Sequence, residues 1–345
     1  MKKLATLLLS ILVGVGVAAA VAYWRAQAPY RGYSGSEQFV DIPAGAGTKA
    51  IGERLVQAGV IRDRITYRVA LGISGQARRL EAGEYRFDQP MTALEVIDKI
   101  ARGDVYVIHL TFPEGLTIAE MSKIFESHGF GPAPAFVAAA GNVALVRGLD
   151  PAGRDLEGYL FPDTYPLPRH IDAAKLVRLM VDRFERVFSP EMRRAADARG
   201  LSVRQVVTLA SIVERETARA DERPLVAAVY ANRLRIGMAL QCDPTVIYAL
   251  QRAGRFTGNL SREDLAFDSP YNTYRHPGLP VGPIAAPGKA SLEAAVHPAD
   301  ADYLYFVSRN DGSHQFARTL DEHHRNVHKY QVDYFREKRE RESRH

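Results

Sequence analysis

The sequence predicts an α+β protein: an N-terminal transmembrane helix, a small α/β subdomain, and a larger mixed α/β domain built round a buried helix. Three observations carry this reading. An uncharged run extends from Leu4 to Trp24, a strand-turn-helix pattern occurs twice, and a helical segment beginning at Val203 is apolar on nearly every side. Length agrees, because 345 residues are a prior for about two domains at roughly 150 residues each. With 46% apolar and 25% charged residues, neither a disordered nor a fibrous chain fits. The net charge of +5 comes without a basic stripe and excludes a dedicated nucleic-acid binder. The single cysteine, Cys242, excludes an intramolecular disulfide and CxxC redox or zinc sites.

Residues 1–3 carry Lys2 and Lys3 and read as a short cytoplasmic end. Residues 4–24 are long enough for the roughly 20 residues that a membrane helix needs, and Tyr23, Trp24 and Arg25 form an interfacial edge. A cleaved signal peptide is the competing reading, since Ala26-Gln27-Ala28 has the small-x-small form of a cleavage site. The apolar run exceeds the usual ~7–15 residue core of such a peptide and favours a retained anchor. On either reading the bulk of the chain is exported. Residues 25–38, with Pro29, Gly32 and Gly35, suit a linker.

Phe39 to Ile42 reads as a strand. Pro43, Gly45 and Thr48 then lead into a helix bearing Ile51, Leu55 and Val56, stopped by Gly59. Seventy positions on, Val107 to Phe112, Pro113, Gly115, Met121, Phe125 and Gly129 repeat the order. Between the copies, Gly83, Tyr85 and Phe87 alternate as a strand, and Thr92 caps a helix with Leu94, Val96, Ile97 and Ile100. Residues 39–106 thus form the first small domain and 107–150 a connecting strand-helix unit. Pro132, Pro134 and the stretch from Gly141 to Gly153 mark a transition into the larger domain, 151–335. There, Asp172 to Phe188 is an amphipathic helix. Ser202 caps a second helix, which begins at Val203 and runs through Val206, Val207, Leu209, Ala210, Ile212 and Val213. Residues 336–345 alternate in charge and read as a solvated helical tail.

Glu214 and Glu216 sit at the end of that buried helix. Carboxylates are rarely placed against apolar surface without a partner or a task. The structural account pairs them with Arg215, Arg219 or Arg223. At about 100° per residue the two side chains point some 200° apart, so only one can face a given cleft. Periodicity alone does not choose between them.

Here the sequence resembles a known family. The stretch from Leu209 to Thr217 is similar to the signature of the YceG-like (MltG) endolytic murein transglycosylases. Agreement extends to Glu157-Gly158-Tyr159-Leu160-Phe161-Pro162-Asp163-Thr164-Tyr165, Asn232-Arg233-Leu234, Gln241, Asp243-Pro244-Thr245-Val246, Tyr271-Asn272-Thr273-Tyr274 and Gly278-Leu279-Pro280. The resemblance implies that Glu216 is the catalytic acid. It also implies cleavage of the N-acetylmuramic acid to N-acetylglucosamine bond in nascent glycan, closing a 1,6-anhydro ring and so limiting strand length. One carboxyl suffices for that chemistry, because the attacking C6 hydroxyl belongs to the substrate and its effective molarity replaces an enzyme nucleophile. Residues 39–106 fit the strand-helix-helix-strand order of the family's LysM-like domain. An inner-membrane protein with its bulk in the periplasm follows, with cell-wall synthases as partners. The rival reading is a non-catalytic wall-binding adaptor, and a third is a conventional muramidase.

Tyr271, Asn272 and Tyr274 combine aromatic faces with an amide, the equipment for stacking on sugars; a structural Asn turn with core tyrosines is the alternative. The resemblance adds Gln241, Asn232, Glu157 and His314 as substrate contacts. Asp243-Pro244 reads as a helix start with Asp243 as N-cap, and 278–288 as a stiff loop bordering the cleft. His324 and His328 have helical spacing, yet no carboxylate-rich ligand set accompanies them. No metal and no cofactor are expected. The sequence departs from the family pattern at Cys242, where Thr is common, and at Val281 and Ala286.

Overall fold

The computed structural model describes residues 2–342; Met1 of the expected cytoplasmic end and 343–345 of the expected tail lie outside them. The chain is mixed α and β and divides into two compact units, 1–108 with 166–169, and 109–165 with 170–345.

The first unit opens with α1 (Lys2–Gln27). Its stretch Leu8–Gln27 is long and apolar enough, by length and composition, to cross a membrane. The segment expected as a linker is docked on this unit instead. Ala26 is fully buried in its core, Tyr30 exchanges backbone hydrogen bonds with Met91, and the Gly32 N–H donates to the Gly59 carbonyl. Burying Ala26 and Tyr33 against apolar neighbours outweighs the freedom that Pro29 and the glycines suggest.

β1 (Gln38–Ile42) leads to α2 (Thr48–Gln57) and α3 (Arg64–Ser74), and β2 (Gly83–Phe87) returns antiparallel beside β1 with Val40 opposite Tyr85. Tyr85 and Phe87 face the core, each contributing about 1.5–3 kcal/mol by burial. α4 (Ala93–Ala101) starts with a capping box between Thr92 and Glu95.

The same order recurs farther along the chain. β3 (Ile108–Thr111), α5 (Ile118–Ser127), α6 (Ala133–Ala140) and β4 (Thr164–Leu167) follow one another, and β3 pairs with β4. Gly45 and Gly115 take matching left-handed conformations, φ +78° and +79°, which glycine adopts without steric cost. α6 lies in the stretch read as a transition. Its proline falls in the first helical turn, where no backbone hydrogen bond is lost, and Phe136 packs on Phe112 and Phe125.

α7 (Ala173–Val187) and α8 (Pro190–Ala198) precede the central helix α9 (Val203–Glu216), which begins at a capping box of Ser202 and Gln205. Every α9 residue from Val206 to Val213 is buried. α10 (Arg223–Arg235), α11 (Asp243–Arg252) and α12 (Lys289–Val296) complete the helical layer. The loop before α12 lies along α9, where Ser211 Oγ accepts the Ile284 N–H at 3.0 Å. The hairpin of β5 (Tyr305–Ser308) and β6 (His314–Ala317) follows, with Phe306 opposite Phe316. α13 (Leu320–Val327), a π-helical stretch at His328–Asp333, and α14 (Tyr334–Glu342) close the described chain.

Candidate active site

The two glutamates at the end of α9 have different surroundings. Glu214 accepts Arg223 Nη2 at 2.9 Å and the Gly288 N–H at 2.9 Å, so its charge is spent within the fold. Glu216 lines a cavity of about 270 Å³. Its Oε1 accepts Tyr230 Oη of α10 at 2.7 Å and Cys242 Sγ, just before α11, at 3.0 Å. Among the described residues, no protein group bonds Oε2.

Burial pushes the Glu216 carboxyl above its ordinary range, against the two hydrogen bonds, which pull it down. Its position as the last residue of α9, at the negative end of the helix dipole, also disfavours the anion. Burial drives the Tyr230 phenol and the Cys242 thiol strongly upward, so both are neutral donors at physiological pH. One oxygen is thus held as an acceptor, and a proton on Glu216 resides on Oε2.

Gln241 and Tyr274 line the same cavity. Gln241 has φ +48°, a conformation costing a non-glycine residue about 1–3 kcal/mol. The Gln241 N–H bonds the Thr273 carbonyl at 3.2 Å and the Cys242 N–H bonds Thr273 Oγ1 at 3.0 Å. Tyr274 Oη donates to Asp243 Oδ1 at 2.6 Å. Asp243 is the first residue of α11, not its N-cap, which is Cys242; its carboxylate serves Tyr274 and the cavity instead.

The other expected contacts lie outside that cavity. Asn272 is fully buried, and its amide donates to the Leu265 and Phe267 carbonyls at 3.0 and 2.8 Å. Its Oδ1 accepts the Tyr274 N–H at 2.9 Å, so it orients Tyr274 from behind. Tyr271 packs edge-on against Tyr248 at 4.9 Å. Asn232 donates to the Ala301 and Tyr303 carbonyls. His314 Nδ1 contacts Glu222 Oε2 at 2.7 Å, and the other Glu222 oxygen accepts the His314 N–H. Glu222 in turn accepts Thr217 Oγ1 at 3.3 Å, linking His314 to the residue after Glu216.

Glu157 lines a separate cavity of about 630 Å³ with Tyr248 and Arg252. Burial pushes its carboxyl up to about 8, and both oxygens are bonded, to the Ile118 N–H and to Tyr248 Oη. The expected cleft loop contributes no lining residue to the Glu216 cavity: Ile284, Ala285 and Ala286 are buried, and the apolar gain holds the loop on α9. His328 contacts Asp333.

The match of the YceG-like family to residues 40–329 spans both units. The chain belongs to the YceG-like family. It is 32% identical over 310 residues to an endolytic murein transglycosylase of Bacillus subtilis (strain 168), covering 84% of each chain. To the protein of that name from Streptococcus pneumoniae serotype 2 it is 29% identical over 320 residues, covering 84% of this chain but only 57% of that longer relative. A 2.6 Å crystal structure of a YceG-like protein from Listeria monocytogenes superposes with a TM-score of 0.57 and 29% identity, over 85% of this chain and 99% of that one.

Tyr230, Leu240 and Phe306, not singled out from sequence, also line the Glu216 cavity, as does Arg233, which the sequence offered only as part of the Asn232-Arg233-Leu234 stretch without a role. Tyr230 and Arg233 sit three positions apart on α10, a helical spacing that presents one face. Periodicity gives no reason to aim that face at Glu216.

Proposed function

We propose that this family member is an endolytic peptidoglycan lytic transglycosylase that cuts the bond between N-acetylmuramic acid and N-acetylglucosamine. One observation carries the reading: Glu216 combines an oxygen bonded by Tyr230 and Cys242 with a second oxygen left to the cavity. Oε2 donates its proton to the leaving glycosidic oxygen as the bond to C1 breaks. The resulting carboxylate then takes the proton of the C6 hydroxyl as that oxygen attacks C1 and closes the 1,6-anhydro ring. Burial favours the neutral acid at the start, and the two donors stabilise the anion in between. Gln241 and Tyr274 hold the sugar, with Asn272, Asn232 and His314 bracing the elements behind them.

Asp243 favours a second reading. A hydrolase needs two carboxylates, and Asp243 shares the cavity with Glu216. In the lytic reading Asp243 holds Tyr274 and takes no proton from water. The test is to incubate the protein with glycan strands and determine the new ends by mass spectrometry. Anhydro ends are expected; reducing ends would replace this reading by a muramidase, and unchanged strands by a wall-binding adaptor.

In this reading α1 anchors the chain in the inner membrane with its N-terminus cytoplasmic and its bulk periplasmic. Residues 39–106 act as a LysM-like glycan-binding domain. Tethering confines cleavage to glycan emerging near the bilayer, beside the synthases, and so limits strand elongation.

A further inference from the structure

Arg233 brings to the Glu216 cavity a cation that no carboxylate answers. It is 8% exposed and lines the cavity. Its Nε donates to the Leu304 carbonyl at 2.7 Å, and Nη1 to the Ala239 and Leu240 carbonyls at 3.3 and 2.7 Å. Among the described residues, no acceptor bonds Nη2 and no Asp or Glu forms an ion pair with this guanidinium. Arg223, at the other end of α10, is equally buried and pairs with Glu214. A buried charge is ordinarily paired, and here burial already pulls the Arg233 pKa down. The surroundings repeat the theme. Tyr305 lies under the guanidinium at 5.3 Å and stacks on His323 at 5.1 Å, and His323 also lines the cavity. His323 Nδ1 is buried without a hydrogen-bond partner.

Resting on the glycan reading above, we propose that Arg233 is a specificity residue that anchors, through Nη2, a carboxylate carried on the muramyl residue of the substrate. The planar fork of arginine suits a carboxylate. In such a glycan the sugar rings are neutral, and the anionic groups hang from the lactyl ether, as its own free carboxylate or as those of an attached stem peptide. The wall formed by Arg233 would therefore select muramyl-containing strands over neutral polymers of N-acetylglucosamine and orient the sugar at Glu216.

The test uses the full chain in detergent micelles with Glu216→Gln, titrated calorimetrically with three tetrasaccharides of alternating N-acetylglucosamine and N-acetylmuramic acid. One has free lactyl carboxylates, one has them converted to primary amides, and one carries stem peptides. At least one of the two anionic ligands should bind about tenfold or more tightly than the amide, and the tighter identifies the source of the carboxylate. Arg233→Gln should erase the preference and Arg233→Lys keep part of it. Equal affinities for all three ligands would overturn the proposal, even if Arg233→Gln fails to fold. So would a preference that Arg233→Gln leaves intact. Binding of none of them would defeat the glycan reading itself. Should Glu216→Gln still cut glycan, the assignment of the acid falls, while the affinity ratio still decides the role of Arg233.

Discussion

Glu157 and Glu216 are both glutamates packed into the second unit, each bonded by a tyrosine and each with its carboxyl pushed up by burial. The larger cavity belongs to Glu157. What separates them is the second oxygen. In Glu157 it accepts a backbone N–H of α5 and is spent on structure; in Glu216 it is left to the cavity. If Glu216 is the acid, as proposed, a raised pKa and a cavity do not by themselves mark an acid catalyst, since structural networks perturb carboxyls equally well. On that proposal the distinguishing mark is an unspent oxygen whose twin is held in place.

The largest expected effect breaks this comparison outright. Glu216→Gln should fold with an unchanged melting temperature and lose activity by about a thousandfold, within the range of a general acid, whereas Glu157→Gln should keep most of its turnover. Counting anhydro ends for both variants checks it. Comparable losses would place the chemistry elsewhere.

A smaller effect sharpens the role of the held oxygen. Tyr230→Phe and Cys242→Ala each remove a donor that favours the Glu216 anion, so the pKa should rise further. The alkaline limb of kcat/KM should move up by about one pH unit, the equivalent of about 1.4 kcal/mol. Cys242→Ser, which retains a donor, should restore the limb. A profile that stays put in both deletions would remove these two side chains from the mechanism.

Glu157 should announce itself in stability. Its folded pKa of about 8 lies above its unfolded value of about 4.3, so between these the folded state holds a proton that the unfolded state has released. The stabilisation is present in full below about pH 4 and is lost as pH rises towards 8, with a slope of up to about 1.4 kcal/mol per pH unit. Glu157→Gln should flatten that slope in urea melts run across the range.

The smallest effect concerns Gln241. Gln241→Gly relieves the positive φ, offset by the entropy of a more flexible unfolded chain. Stability should change by less than about 1 kcal/mol while KM rises, because the side chain over the cavity is gone. Calorimetry and steady-state kinetics together read both.

Much of the fold was legible in particular residues. Pro43, Gly45 and Gly59 recur as Pro113, Gly115 and Gly129, and the strand-turn-helix order recurs with them, while α6 and β4, which complete the second copy, were not read from the sequence. Ser202 and Thr92 cap the helices they precede, since capping depends on neighbours three residues away. Residues 25–38 were misread because Pro and Gly report local flexibility, while the docking of Ala26 and Tyr30 depends on a core assembled from distant segments. Asn272 looked like a sugar ligand on its chemistry, yet an amide serves a loop's carbonyls as readily as a hydroxyl of substrate.

By itself the sequence determined the N-terminal apolar helix, the repeated unit, the buried α9 and the two glutamates at its end, all products of short-range periodicity and local sterics. Only the tertiary structure gave Glu214 an arginine partner and Glu216 a cavity, set Tyr230 and Cys242 on one Glu216 oxygen, and left Arg233 without an ion-pair partner among the described residues. These features arise where α9, α10 and the start of α11 converge, and distances between side chains far apart in the chain are fixed by packing, which no local pattern encodes.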